Sequence, residues 1–231
     1  MTQTTPGDPD QFLAGPRSGP ALGTAERLVV LLHGYGADGD DLFGLAGPLG
    51  QALPGTAFRS PNAPQPCRAN PFGRQWFPIP WIDGSAEAER DRGFAASVET
   101  LNAYLDAAMA AEGVEPARTA LVGFSQGTMM ALHVSARRGT ALAGIVGFSG
   151  RLLLPERLAR ETVSRPPILL VHGDCDEVIG VESLAEAGSA LTAAGFAVDT
   201  HVSAGTPHGI APDGLQLAAR FLVEKLLTNV G

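Results

Sequence analysis

Cysteine is scarce in this chain. Cys67 and Cys175 are the two in 231 residues, too few for a disulfide framework. Their spacing suits no metal site, so free thiols are expected. Basic residues are outnumbered, 16 Lys and Arg against 24 Asp and Glu, for a net charge of −8. Arg137-Arg138 ends a helix and no Lys/Arg cluster stands elsewhere. This balance argues against nucleic acid as the main partner, because phosphate binding needs a basic face. No apolar run is long enough to span a bilayer, so no membrane insertion is expected. Residues 1–26 are rich in Gly, Pro, Thr and Asp, with no basic start followed by an apolar run. No signal peptide is read there, and the cytoplasm is the expected location. The same composition makes 1–26 a flexible N-terminal arm. What the chain does have is core: 45% hydrophobic against 17% charged residues, which suits one domain over 27–231.

Continuous apolar runs alternate with amphipathic ones. Arg27-Leu28-Val29-Val30-Leu31-Leu32-His33 stops at a glycine and reads as a strand buried on both faces, as in a parallel sheet. Further strands are expected at 57–60, 119–124, 144–148, 168–171 and 197–202. Helices are expected at 40–53, 87–112, 126–138, 182–194 and 212–227. In the longest, Phe94, Val98, Leu101, Leu105 and Met109 recur at i+3 and i+4 steps, with Ser85 as cap and Gly113 as stop. The alternation predicts an α/β fold, a central mostly parallel sheet flanked by helices on both faces.

One stretch breaks the pattern. Residues 61–84 are proline-rich and carry Phe72, Trp76, Phe77 and Trp81, which include both tryptophans of the protein. An excursion of this length is expected to be functional, covering the site and lining an acyl pocket with those four aromatics. The alternative is a loop held to the surface by its rings.

The most specific pattern is Gly123-Phe124-Ser125-Gln126-Gly127, a G-x-S-x-G between an apolar strand and a helix. In that context it reads as a nucleophile elbow, a strained turn that raises the serine hydroxyl. With 29 glycines the bare pattern could be a plain turn; the flanking strand and helix favour the elbow. A near-copy, Gly147-Phe148-Ser149-Gly150, has Arg151 in place of the last glycine and reads as a strand end.

A serine needs a base and an orienting acid, which in this architecture follow it in the chain. His133 lies within a helix, His172 closes a strand and His201 is inside one. His208 sits in a loop after the last strand and can reach over Ser125, so it is the candidate base. Asp174, Asp176 and Glu177 follow the strand at 168–171, and spacing alone leaves the acid open among them. Two backbone N–H groups should hold the oxyanion, one on Gln126 and one on Tyr35 in His33-Gly34-Tyr35-Gly36. The Gln126 side chain is not needed for this.

These motifs, with His172-Gly173-Asp174-Cys175-Asp176-Glu177-Val178-Ile179, Pro207-His208-Gly209 and Arg74-Gln75-Trp76-Phe77, resemble the carboxylesterase/phospholipase branch of the α/β-hydrolases. That group contains acyl-protein thioesterases and small bacterial carboxylesterases. The resemblance covers nearly the whole chain and implies a serine carboxylesterase on an α/β-hydrolase fold, with no cofactor and no metal. Its H-G-x-x-D-x-V pattern places the acid on Asp176, beside Ser125 and His208. The implied partner is a small-molecule ester. Family members often form homodimers, so the resemblance allows one here. Two departures stand out: Tyr35 replaces a frequent leucine, and Gly180 a frequent proline. Thioesterase or lysophospholipase activity would use the same residues, and a non-catalytic ligand-binding protein is the alternative from another class.

Overall fold

The computed structural model describes residues 7–227. Its strands are β1 Arg17–Ser18, β2 Arg27–Leu32, β3 Thr56–Arg59, β4 Gln65–Pro66, β5 Arg74–Gln75, β6 Thr119–Phe124, β7 Gly144–Phe148, β8 Ile168–Gly173 and β9 Val198–Ser203. Its α-helices are α1 Gly39–Phe43, α2 Ala46–Ala52, α3 Pro80–Asp83, α4 Glu87–Glu112, α5 Gln126–Arg137, α6 Pro155–Glu161, α7 Glu182–Ala193 and α8 Pro212–Leu227. Seven strands make one sheet in the order β1-β3-β2-β6-β7-β8-β9. All neighbours run parallel except β1 and β3.

The pleat of β2 explains the two cores. Leu28, Val30 and Leu32 face one side, packed with side chains of α4, α5 and α7. Val29 and Leu31 face the other, packed with α1, α2 and α8. A strand apolar at every position is stable only with helices on both faces, which is the arrangement its composition predicts.

Three expectations need correction. The helix read at 40–53 is two short helices, α1 and α2. Pro48 has no N–H to offer Gly44 four residues back, so the ladder cannot run through. The crossover from β7 to β8 contains α6, which shows little periodicity because only Leu158 of its seven residues is buried. The N-cap of α4 is Ala86 rather than Ser85, with the Glu89 carboxylate accepting the Ala86 N–H at 3.2 Å.

The arm read at 1–26 is not loose where it is described, from residue 7 onward. Ser60 N–H and Asn62 N–H donate to Pro16 O and Ala14 O at 3.0 and 2.8 Å, and β1 pairs with β3. The edge of β3 has backbone groups that need partners, and composition alone does not reveal that demand. Arg17 fastens the arm from its other side, donating to Glu112 at 2.9 and 2.7 Å. Arg59 donates to the same fully buried carboxylate at 2.6 Å.

Burial alone would push the Glu112 carboxyl up, but the bonds from Arg17 and Arg59 outweigh it and hold it below the ordinary glutamate value. Glu112→Ala takes the nearer carboxylate from the buried Arg59 and leaves it Asp10 at 3.6 Å, and is expected to cost about 3 kcal/mol, read from urea denaturation. A lowered folded pKa adds stability above the unfolded value, and that contribution is lost as pH falls through the folded one. The advantage of wild type over Glu112→Gln should therefore shrink below about pH 4.

Candidate active site

β6 ends in a strained turn. Ser125 has φ 52° and ψ −115°, a backbone conformation costly for a residue with a Cβ. The turn is held in place. Ser125 N–H donates to Phe148 O at 2.9 Å, and the Thr128 hydroxyl lies 2.8 Å from both Gly123 O and Phe148 O. Glycines flank it because there is no room for a side chain. A Cβ on Gly127 would be driven into Leu32 O, and one on Gly123 into the Gly127 and Thr128 backbone. Gly127→Ala is expected to lower stability by about 3 kcal/mol or more, checked by chemical denaturation. A fully stable variant would contradict this packing.

His208 stands in the loop after β9. Its ring packs on Phe124, the residue before Ser125, with ring centroids 4.8 Å apart. Its Nδ1 lies 2.7 Å from Asp176 Oδ2. The other oxygen of Asp176 accepts Val178 N–H at 2.9 Å and Ile179 N–H at 2.8 Å. Burial raises the Asp176 carboxyl, but the His208 bond and these two N–H groups more than offset it, so the group lies below its ordinary value and stays ionised.

The other two acids do not face the imidazole in this way. Asp174 accepts Gly205 N–H at 2.6 Å, steadying the His208 loop from below, and Glu177 is exposed. Two further residues emerge that spacing did not suggest. His172 Nε2 lies 2.8 Å from Ile179 O and 3.2 Å from Asp176 Oδ2, so it carries a proton shared between two acceptors. Ser149, in the near-copy of the elbow, is also left-handed at φ 46°. Its hydroxyl donates to Gly209 O at 3.3 Å, next to His208.

The glycine loop after β2 closes on the same point. A Cβ on Gly34 would lie 3.3 Å from Ser125 Cβ. His33 anchors it: Nε2 accepts Ala63 N–H at 2.9 Å, so Nδ1 carries the proton and donates to Gly34 O at 2.7 Å. Burial lowers the His33 pKa and keeps the ring neutral. Gln126 N–H is the first of α5, and neither it nor Tyr35 N–H has an acceptor among the described residues. The Tyr35 side chain explains the departure from leucine. Its hydroxyl donates to Asp83 Oδ2 at 3.0 Å, and the same oxygen accepts Ile79 N–H at 3.0 Å. The glycine loop is thereby tied to α3, in the wall of a cavity.

That cavity has a volume of about 370 Å³. Phe77, Ile79, Trp81, Phe94, Met129 and Leu152 to Leu154 line it. Met129 N–H donates to Ser125 O at 3.2 Å, which roots one wall of the cavity at the elbow. Of the four aromatics expected there, Phe77 and Trp81 are present and two are not. Trp76 is fully buried, its indole N–H donating to His33 O at 3.0 Å. An indole so bonded is a strut between excursion and glycine loop. Phe72 is 91% exposed and borders a separate polar hollow with Phe12 and Arg74.

The Gln126 side chain has a task after all. It accepts Trp76 N–H and donates to Phe77 O, both at 2.8 Å, which docks residues 61–84 on the elbow. Gln126→Leu would bury both backbone groups unpaired. It is expected to cost about 2 kcal/mol and to raise KM for an ester, measured by melting and steady-state kinetics.

A parallel sheet in this order, with a strained serine after β6, an acid after β8 and a histidine after β9, defines an α/β-hydrolase. The chain belongs to the Phospholipase/Carboxylesterase family, whose profile it matches over residues 21–226. It is a carboxylic ester hydrolase by that membership. It is 32% identical over 225 residues to acyl-protein thioesterase 1 of Neurospora crassa, covering 90% of each chain. It is 30% identical over 201 residues to esterase YpfH of Escherichia coli, covering 86% of this chain and 82% of that one. A crystal structure of esterase PE8 superposes with a TM-score of 0.86 at 43% identity, covering 93% of this chain and 99% of that one. Among the described residues no helix is long and apolar enough to cross a membrane.

Proposed function

We propose that the chain is a serine carboxylesterase acting through an acyl-enzyme. The observation that carries this reading is the His208 imidazole, bonded to Asp176 at 2.7 Å and packed on Phe124 next to Ser125. Ser125 Oγ attacks the ester carbonyl carbon as His208 Nε2 takes its proton. Asp176 keeps the Nδ1–H tautomer and balances the imidazolium. The tetrahedral oxygen, now negative, accepts the N–H groups of Tyr35 and Gln126. The C–O bond to the alcohol then breaks, and His208 returns the proton to that oxygen. Water, deprotonated by His208, attacks the acyl-enzyme by the same steps and releases the carboxylic acid and Ser125.

The apolar lining of the cavity, which reaches the elbow through Met129, suits an aliphatic or aromatic acyl group of moderate size. A thioester would react at the same residues, and the relationship to the Neurospora crassa thioesterase favours that as the second reading. The test is hydrolysis of p-nitrophenyl esters from acetate to palmitate beside matched thioesters. The expected optimum lies between butyrate and octanoate, with palmitate poor. Turnover of thioesters alone would move the protein to the second reading. A folded protein that turns over neither would be a binding protein.

A further inference from the structure

The cavity carries a charge that ester hydrolysis does not use. Arg151 closes the near-copy of the elbow, and its neighbour Gly150 lies against the true one. A Cβ on Gly150 would sit 3.0 Å from Ser125 O. Arg151 therefore springs from a backbone one residue away from contact with the elbow. Its guanidinium carbon stands 5.5 Å from the centre of the Trp81 ring, and both residues line the cavity. The other charged groups there are Arg90, Asp91 and Glu186. Arg90 is neutralised by Glu87 and by Asp91, the latter at 2.8 Å. Arg151 has no ion pair and no hydrogen bond among the described residues.

A guanidinium on an aromatic face is partly shielded from water by the ring, while its N–H fork stays free at the edge. That fork matches a carboxylate in two parallel hydrogen bonds. The molecule as a whole is acidic, at −8, and Glu186 adds negative charge to the lining. Arg151 is solvent-exposed at this apolar cavity and unpaired among the described residues, so its fork is open to an incoming anion.

We infer that Arg151 receives a carboxylate carried on the acyl part of the substrate, so that half-esters of medium-length dicarboxylic acids are preferred over neutral esters of the same length. The acyl side is assigned because Arg151 lines the same cavity as Phe77, Phe94 and Met129. The inference rests on the esterase reading and deepens it.

The test compares kcat/KM for mono-p-nitrophenyl adipate and p-nitrophenyl hexanoate in wild type, Arg151→Ala and Arg151→Lys. The readout is the ratio of the two substrates within each protein, which a general loss of activity does not move. Wild type should favour the adipate, and Arg151→Ala should lower the ratio roughly tenfold, with Arg151→Lys between. Raising salt to about 1 M should compress the wild-type ratio. An equal ratio in all three proteins would overturn the inference while hexanoate turnover left the esterase reading standing. Failure of wild type on both substrates would instead remove the esterase reading. A preference confined to 4-carboxyphenyl hexanoate over phenyl hexanoate would place the anion on the alcohol side and overturn the assignment.

Discussion

Ser125→Ala is expected to lower kcat/KM for a p-nitrophenyl ester by at least about 10⁴-fold without unfolding the protein. The two effects separate cleanly because the Ser125 hydroxyl takes part in no structural hydrogen bond among the described residues. Its backbone N–H to Phe148 O bond is kept in the variant. Alanine inherits the left-handed backbone at φ 52°, so stability should match wild type. Ser125→Gly should be equally inactive but more stable by about 1 kcal/mol, since glycine adopts that conformation without strain. A gain of stability on loss of the nucleophile is the mark of strain kept for function. Denaturation curves beside the kinetics check both halves of the prediction.

Asp176→Asn should lower kcat by about 10³- to 10⁴-fold for a reason written in the hydrogen bonds. Asp176 Oδ1 accepts two backbone N–H groups, from Val178 and Ile179. An asparagine must keep its carbonyl oxygen there, which puts its NH₂ in the place of Oδ2. That NH₂ faces His208 Nδ1, 2.7 Å from Oδ2 in the native structure. His208 must then move its proton to Nε2, the nitrogen that should take the proton of Ser125. The same NH₂ meets the Nε2–H of His172, 3.2 Å from Oδ2, so some stability is lost as well. NMR of the imidazole nitrogens would show the tautomer change directly, and an unchanged kcat would sink the role given to Asp176.

The parts of this protein that could be read from its sequence are those where short-range pattern and long-range packing demand the same thing. The runs of β2, β6 and β7 are apolar at nearly every step, and only a strand between two helical layers satisfies that. G-x-S-x-G between strand and helix is legible for the same reason, because Gly123 and Gly127 answer contacts made within the motif and with β2. Where a choice depended on the path of the chain, residue types were not enough. Asp174 and Asp176 are chemically alike, and only the turn decides which oxygen meets His208; a family resemblance pointed to Asp176, not the spacing. Trp76 and Phe77 are neighbours, yet one braces the glycine loop and the other lines the cavity, and residue type does not say which ring does which. Arg17 looked like part of a loose tail because its partner, Glu112, lies 95 residues away.

The measurement that bears most directly on Ser125 as nucleophile is active-site labelling by a fluorophosphonate, read by mass spectrometry of the intact protein and its peptides. One adduct per chain is expected, on the peptide containing Ser125. Its formation should slow sharply in His208→Ala and fail in Ser125→Ala, in step with ester turnover. An adduct on another residue, or full ester hydrolysis by a protein whose Ser125 remains unlabelled, would contradict it.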